Sequence, residues 1–489
     1  ATTEIYTLSL HDALPISVIT IDQNTGWNVL LNSIIVVVIG GSGSIPGALI
    51  GGIILGLLNT LGVWLQTSVL NSIPGLAGVN ISTLLMYLVL IIILVIRPQG
   101  LMGRKVDIDK ASDDYTSTKA IEKPLFTRSM LGDKISGGMQ TKLNAYKAAP
   151  YIFFLLLAII LPLVVDSPTQ NILSENLIYA LFAASLDIVM GYTGNRSFGH
   201  AAYFGMGAYI VVMLNKHWNI SSFWVILVLT IVICVILAAV IGYFTLKLTG
   251  TNFLLVTMAF GQLLSVIATQ FKGFTGGTDG EMLVNKPNLG ISSSHTAFWN
   301  NWWSGETLNI KIYFMILIFV VISFIILHRF MRASFGSTLK GVKGNEGRMR
   351  ALGYNTWQLR YVAVIIAGIF AGIAGMLYAY RFKTVTPRVF AIERSAMPML
   401  MVIIGGGTTL WGPMIGAAII VLVQNYAGTL FPDRWQLLLG LIYVICVIFL
   451  RNGFAPSLQR FWNWVGYKFF KKDFVKDEPK KSIKEEASI

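Results

Sequence analysis

The chain has 489 residues, 55% of them hydrophobic and 12% charged, against roughly 25% charged in soluble globular chains. With a mean hydropathy of +0.68 it cannot cover a water-exposed surface with charge. The same composition excludes a disordered chain, a coiled coil, a collagen and a disulfide scaffold, which leaves a polytopic membrane protein.

The formal net charge is +14. A nucleic-acid partner is not implied, because the basic residues lie in loops between apolar runs, where they suit an anionic leaflet. The two cysteines, Cys234 and Cys446, both sit inside apolar runs, so no structural disulfide is expected. No Cys/His metal spacing exists.

Residues 1–16 read ATTEIYTLSLHDALPIS. They have no basic n-region and no apolar h-region, so they are not a signal peptide. LSLHDALPIS looks like translated sequencing-adapter read-through, and 1–16 is set aside from the fold. The plain alternative is a short natural extracytoplasmic segment.

About 20 apolar residues cross a bilayer core as a helix, fewer where the flanks adjust. In chain order that rule predicts spans at 27–41, 47–67 and 82–96. A polar linker follows at 105–149. Ten more spans are predicted at 150–166, 172–193, 201–215, 222–247, 252–271, 310–329, 358–380, 396–408, 412–431 and 434–450. The pieces at 201–215 and 396–408 are short, and a re-entrant or broken helix is allowed there only where protein or a cavity surrounds it. The expectation is an all-α polytopic membrane protein of about thirteen transmembrane or re-entrant helices, three plus ten.

Loop 329–360 holds Arg329, Arg332, Lys340, Lys343, Arg348, Arg350 and Arg360 against a single acid, Glu346. With the linker's Arg104 and Lys105 and the Lys-rich tail 457–489, it is expected on the cytoplasmic side. Ten spans starting inside return the tail inside. Counted back from the linker, the three early spans put 17–26 outside, which suggests a fragment of something longer.

GGSGSIPGALIGG at 40–52 aligns without gaps to GGGTTLWGPMIGA at 405–417, with Gly40/Gly405, Gly41/Gly406, Gly47/Gly412, Ile50/Ile415 and Gly51/Gly416 identical. Each copy follows a short apolar run, opens a long one, and is followed by a span ending in Arg, at Arg97 and Arg451. Residues 17–104 therefore read as the C-terminal fragment of a first permease-like unit and 150–456 as a complete second one. Gly47 and Gly51, like Gly412 and Gly416, put two glycines on one helix face for close packing. Generic membrane-helix packing is the plainer reading of these four.

The segment GSTLKGVKGNEGRMRALGYNTWQLR at 336–360 carries Glu346, with Gly353 seven residues later. It resembles the coupling loop of ABC importer permeases, whose short helix docks on an ATPase subunit and ends at the Gly. The resemblance implies that Asn345, Glu346, Arg350, Leu352 and Gly353 form that loop. Gly344, Gly347 and Arg348 depart from the family pattern. The plain alternative is a basic loop lying against lipid headgroups.

GYTGNRSFGHAAYFGMGAY at 191–209 packs five glycines and a Ser–His pair into 19 residues, which suggests a broken helix near a translocation path. It resembles a signature of branched-chain amino acid ABC permeases. GTNFLLVTMAFGQ at 250–262, TGGTDG at 275–280 and GGGTTLWGPMIGA at 405–417 match further family blocks in order. Residues 17–104 resemble the tail of the partner permease, including its RPQGL ending.

The candidates for the path are Asp187, Ser197, His200 and Thr257. Each has a structural alternative. An acid in an apolar run is costly and faces a cavity or the bundle interior, but Asp187 can also be a satisfied, hydrogen-bonded group. His200 can be packed between glycines. Ser197 and Thr257 can bond back onto their own helices.

The resemblance implies a binding-protein-dependent importer of branched-chain amino acids in a bacterial cytoplasmic membrane. No G-x-x-x-x-G-K-[ST] occurs, so ATP and Mg are expected in two separate ABC ATPase subunits, with no cofactor or metal on this chain and no catalytic residues. The other partners implied are a periplasmic or lipid-anchored solute-binding protein, a second permease unit and membrane lipid, with no nucleic acid. Within the class, urea, short amides or another small polar solute are alternative cargoes. Outside it, an ion-coupled secondary transporter or channel is the rival. Ten spans separate the two repeat copies, so they run in the same direction, which suits two permease units better than an inverted repeat.

Overall fold

The computed structural model describes residues 25–41, 43–68, 81–97, 99–103, 153–248, 250–284, 308–431, 435–449 and 453–462. Residues 1–16, the linker 105–149 and most of the tail 457–489 lie outside them. A helix stands at each of the thirteen expected spans. The first three are α1 (Thr25–Gly40), α2 (Ile45–Ser68) and α3 (Ile81–Ile96). The next five are α4 (Phe153–Val164), α5 (Ser167–Asp187, prolonged by the π-turn Ile188–Tyr192), α6 (His200–Trp218), α7 (Phe223–Thr245) and α8 (Thr251–Gln270). Then come α9 (Leu308–Arg332), two short helices α10 (Ser334–Gly344) and α11 (Glu346–Ala351), α12 (Thr356–Phe382), α13 (Ile392–Gly405), α14 (Gly412–Leu430) and α15 (Trp435–Phe449). Seven of these are long and apolar enough to cross a membrane by length and composition. The segment expected at 201–215 is a full 19-residue helix, whereas α13 has 14 residues and stops at Gly405.

The distribution of apolar side chains is that of a protein dissolved in lipid. On α7, Phe223, Ile226, Thr230, Cys234, Ala238 and Ile241 are buried at helical spacing. The opposite face shows Val225, Val228, Val232, Ile236 and Val240, each at least 45% exposed. In water that face would be a large sticky patch; against acyl chains it is satisfied.

Small residues bring α6, α7 and α12 together. A Cβ on Gly207 would strike the backbone of Gly372, one on Gly375 the carbonyl of Phe204, and one on Gly372 the thiol of Cys234. Removing side chains from the contact lets backbones approach, which is how helices gain packing energy in a medium without a hydrophobic effect. At one end of the bundle, Glu281–Met282 and Thr384–Val385 form a two-stranded antiparallel ladder, with Glu281 opposite Val385. Lys216 at the end of α6 pairs with Glu281 there. The α9–α12 connection lies at the other end.

The repeat seen in the sequence has a shared geometry. A Cβ on Gly40 would strike the carbonyl of Gly47, and one on Gly405 that of Gly412. Gly51 lies against the carbonyl of Val36, and Gly416 against that of Met401, which holds the aligned position. Ser44 Oγ accepts from Gly47 N at 3.1 Å, and Thr409 Oγ1 from Gly412 N at 3.1 Å, so an aligned hydroxyl holds one first-turn N–H of the long helix in each copy. The turn after the last helix closes alike: Gly100 packs on Gly41 and Gly453 on Gly406, all four at positive φ. Of the three early helices, α3 is the one that packs along α8 of the second part.

Candidate coupling and translocation site

The segment joining α9 to α12 is a pair of short helices held by its own side chains. Asn345 turns the chain between them, and its Oδ1 caps α11 by accepting from Arg348 N at 2.8 Å. Gly353, at φ +87°, ends α11. Its N–H reaches Arg350 O at 2.9 Å and that of Tyr354 reaches Met349 O at 3.1 Å, the left-handed stop that favours glycine. Asn355 then caps α12 by accepting from Gln358 N at 3.1 Å.

Glu346 is spent inside this segment. Its carboxylate accepts from Arg350 at 2.6 Å, from Thr356 Oγ1 at 2.9 Å and from Arg360 at 2.5 Å. Burial alone would push its carboxyl up, but Arg360, with the bonds from Thr356 and Arg350, outweighs it and holds the group below the usual range. The acid thus fastens α11 to the base of α12. What faces outward is apolar: Leu352 is 67% and Tyr354 47% exposed at the tip. Arg350 lies beside them, largely in solvent.

Three path candidates meet around the broken stretch before α6. Ser197 Oγ accepts from Gly199 N at 3.3 Å. Thr257 Oγ1 donates to Leu254 O at 2.8 Å and accepts from Phe198 N at 3.3 Å, while Gly199 packs on the Thr257 backbone. His200 Nε2 lies 2.8 Å from Ser185 Oγ, and its ring stacks on Phe182 with centroids 5.4 Å apart. Ser185 donates its own proton to Phe182 O at 2.7 Å, so the imidazole is the donor in that pair. All three candidates are buried. A fourth hydroxyl, which the sequence did not single out, belongs with them: Ser395 Oγ on α13 accepts from Ala201 N at 2.9 Å and caps α6.

Asp187 stands apart from this group. It is fully buried, and its carboxylate accepts from Thr408 N at 2.9 Å and Leu410 N at 3.3 Å, in the loop between α13 and α14. Lys343, which the sequence marks just as one basic residue of loop 329–360, reaches from α10 to Gly191 O at 2.8 Å. Higher in the bundle, the Arg394 guanidinium lies between the rings of Tyr179 and Tyr378, at 5.6 and 5.4 Å. Charges on long side chains in single apolar runs give no periodic signal, so these partners had to come from the packing. No group of three or more metal-binding side chains occurs among the described residues.

A lipid-facing helical bundle, broken helices lined with small residues, and an ordered basic segment at one end define a membrane permease. The model of the branched-chain amino acid transport system / permease component family matches residues 13–94 and 169–448, and the chain belongs to that family. Among similar proteins, the high-affinity branched-chain amino acid transport system permease protein LivM of Escherichia coli is 27% identical over 319 residues, covering 63% of this chain and 75% of that protein. The probable branched-chain amino acid transport permease protein LivM of Methanocaldococcus jannaschii is 22% identical over 328 residues, covering 57% and 91%. No solved structure matches.

Proposed function

We propose that this chain is the membrane-spanning permease of a binding-protein-dependent ABC importer that carries branched-chain amino acids across the bacterial cytoplasmic membrane. ATP is hydrolysed on separate subunits, two of them, and solute arrives on a periplasmic or lipid-anchored binding protein. The linker 105–149, the α10–α11 segment and the C-terminus face the cytoplasm. Residues 17–104 are the C-terminal part of a first permease unit, and 150–456 the second.

The observation that carries the reading is the α10–α11 segment. Three internal bonds to Glu346 make it stiff, and it offers Leu352 and Tyr354 as an apolar knob beside basic residues. A stiff knob can transmit a push; a floppy loop against headgroups has no need of such bonding. The family match and the names of the similar proteins support the cargo class.

The test is uptake of labelled leucine, isoleucine and valine into proteoliposomes holding this chain with its ATPase subunits and binding protein. ATP-dependent accumulation that unlabelled urea and short amides do not compete is expected. Uptake driven by an ion gradient without ATP overturns the class, and ATP-dependent uptake of urea alone overturns the cargo.

A further inference from the structure

The loop from Gly406 to Trp411 is built against the preferences of its own residues. Thr408 and Leu410 have φ of 74° and 56°, the left-handed region that a Cβ disfavours. In the first repeat copy the residue aligned with Thr408 is Gly43, whose φ of +84° carries no such cost. Something must hold Thr408 and Leu410 in place. Both oxygens of Asp187 do so, one on each N–H. Hydrogen bonds to an ionised carboxylate, away from water, are of the strong kind.

Gly191 makes the arrangement possible. A Cβ there would collide with the Asp187 carboxylate and with Thr408 N. It lies in the π-turn Ile188–Tyr192 that directly continues α5 from Asp187. The same turn is gripped from the other side by α10: Lys343 donates to Gly191 O at 2.8 Å, and Lys340, one turn earlier on that helix, lies over the Tyr192 ring at 5.0 Å. A continuous series of direct contacts thus leads from α10 to the π-turn, to Asp187, and to the loop that joins α13 to α14.

We propose that Asp187 and Lys343 are positioning residues that make one rigid latch from the coupling segment to loop 406–411, so that displacement of α10 reaches α13 and α14. The source of that displacement rests on the proposed function; the latch itself is a property of this chain. Neither residue touches cargo in this role. Lys343 sets where the π-turn sits, and Asp187 converts that position into the conformation of the loop. Losing one charge-assisted bond raises the opening equilibrium about tenfold.

Amide hydrogen exchange over 406–411 in the full chain, in nanodiscs, tests the latch without any ATPase. Asp187→Leu is expected to speed exchange at Thr408 and Leu410 by about tenfold or more, and Asp187→Asn, which keeps one acceptor oxygen, to speed it at one of the two. The deciding variant is Lys343→Met, since the hydrogen bond of Lys343 goes to Gly191 O and not to the loop itself: exchange at 408–410 should rise there too, and Lys343→Arg should restore protection. With ATPases bound, transport per ATP should fall in Lys343→Met while their co-purification stays at the unmutated level. If Lys343→Met leaves both the 408–410 amides and transport per ATP unchanged, Asp187 is a local brace and the latch is overturned. If the unmutated transporter shows no ATP-dependent uptake, the functional reading fails, and the exchange result still decides the latch.

Discussion

The two copies of the glycine loop solve one backbone problem in different ways. Both hold a first-turn N–H of the long helix with an aligned hydroxyl, both press a glycine onto the preceding helix, and both close against a positive-φ glycine further on. In the first copy the left-handed position is Gly43, and a Cβ there would meet nothing within 4 Å. In the second it is Thr408, pinned by Asp187. A glycine makes the shape locally and ties it to nothing. A threonine held by a distant carboxylate puts the aligned position in the same left-handed region, but on condition of helix α5, 221 residues away in sequence. The second loop is therefore connected to the rest of the bundle in a way that the first, among the described residues, is not.

The largest effect should come from what the copies share. Gly416→Leu and Gly51→Leu each drive a Cβ into a backbone carbonyl, of Met401 and Val36, which cannot yield. Overpacking of this kind costs roughly 1–3 kcal/mol and sometimes more. Both variants should lose most monodisperse protein in detergent size exclusion. Gly428→Leu, with nothing within 4 Å of its Cβ, should behave as the unmutated chain. Equal behaviour of all three would remove the shared packing from the comparison.

What the copies do not share gives a smaller effect. Gly43→Thr places a β-branched residue at φ +84° with no carboxylate to hold it, and should destabilise by about 1–3 kcal/mol. Thr408→Gly removes strain at a position already held, and should leave the melting temperature unchanged or slightly raised. If Gly43→Thr is as harmless as Thr408→Gly, the carboxylate is not what tells the loops apart.

The α10–α11 segment sharpens the comparison from its far end. Glu346→Gln keeps the shape but weakens the bonds from Arg350, Thr356 and Arg360, each charge-assisted bond being worth roughly 1.5–3 kcal/mol against about 1 kcal/mol for a neutral one. Exchange protection over 346–360 should fall by about tenfold. Because the folded carboxyl is held below its ordinary value of 4.5, its contribution is full above that value and is lost as pH falls through the lowered folded value. Protection in the unmutated chain should thus be flat from neutral pH to about 5 and drop only in stronger acid, whereas Glu346→Gln should show no such drop. Leu352→Asp should leave this protection alone and reduce ATPase co-purification.

The smallest effect belongs to the opposite end. Lys216, nearly half exposed, pairs with Glu281 beside the small ladder. Glu281 is buried, so Lys216→Met alone would strand its charge; the double variant Lys216→Met/Glu281→Gln, which strands none, should shift the melting temperature little. A large shift would mean that the ladder end, and not loop 406–411, controls the stability of the second part.

The positions of the helices followed from the sequence alone. Runs of apolar residues long enough for a bilayer admit almost no other structure, because every backbone polar group must be satisfied within the segment. The repeat was legible for a similar reason: glycines at close backbone contacts admit no side chain, so both copies keep them. Asn345 and Gly353 were legible because caps and left-handed stops depend on a few neighbouring residues. Partners across the bundle were not legible. Glu346 read as a docking acid, yet its oxygens are turned to Thr356 and Arg360, which come near only when α11 folds back on α12. Asp187 read as a path residue or a satisfied acid, and its bonds to Thr408 and Leu410 exist only because α5 and the 406–411 loop meet. Neither the strained φ of Thr408 nor the reach of Lys343 to Gly191 has a local signature. Periodicity reports which face of a helix is apolar; which buried carboxylate meets which backbone amide depends on how helices far apart in sequence cross, and only the tertiary structure decides that.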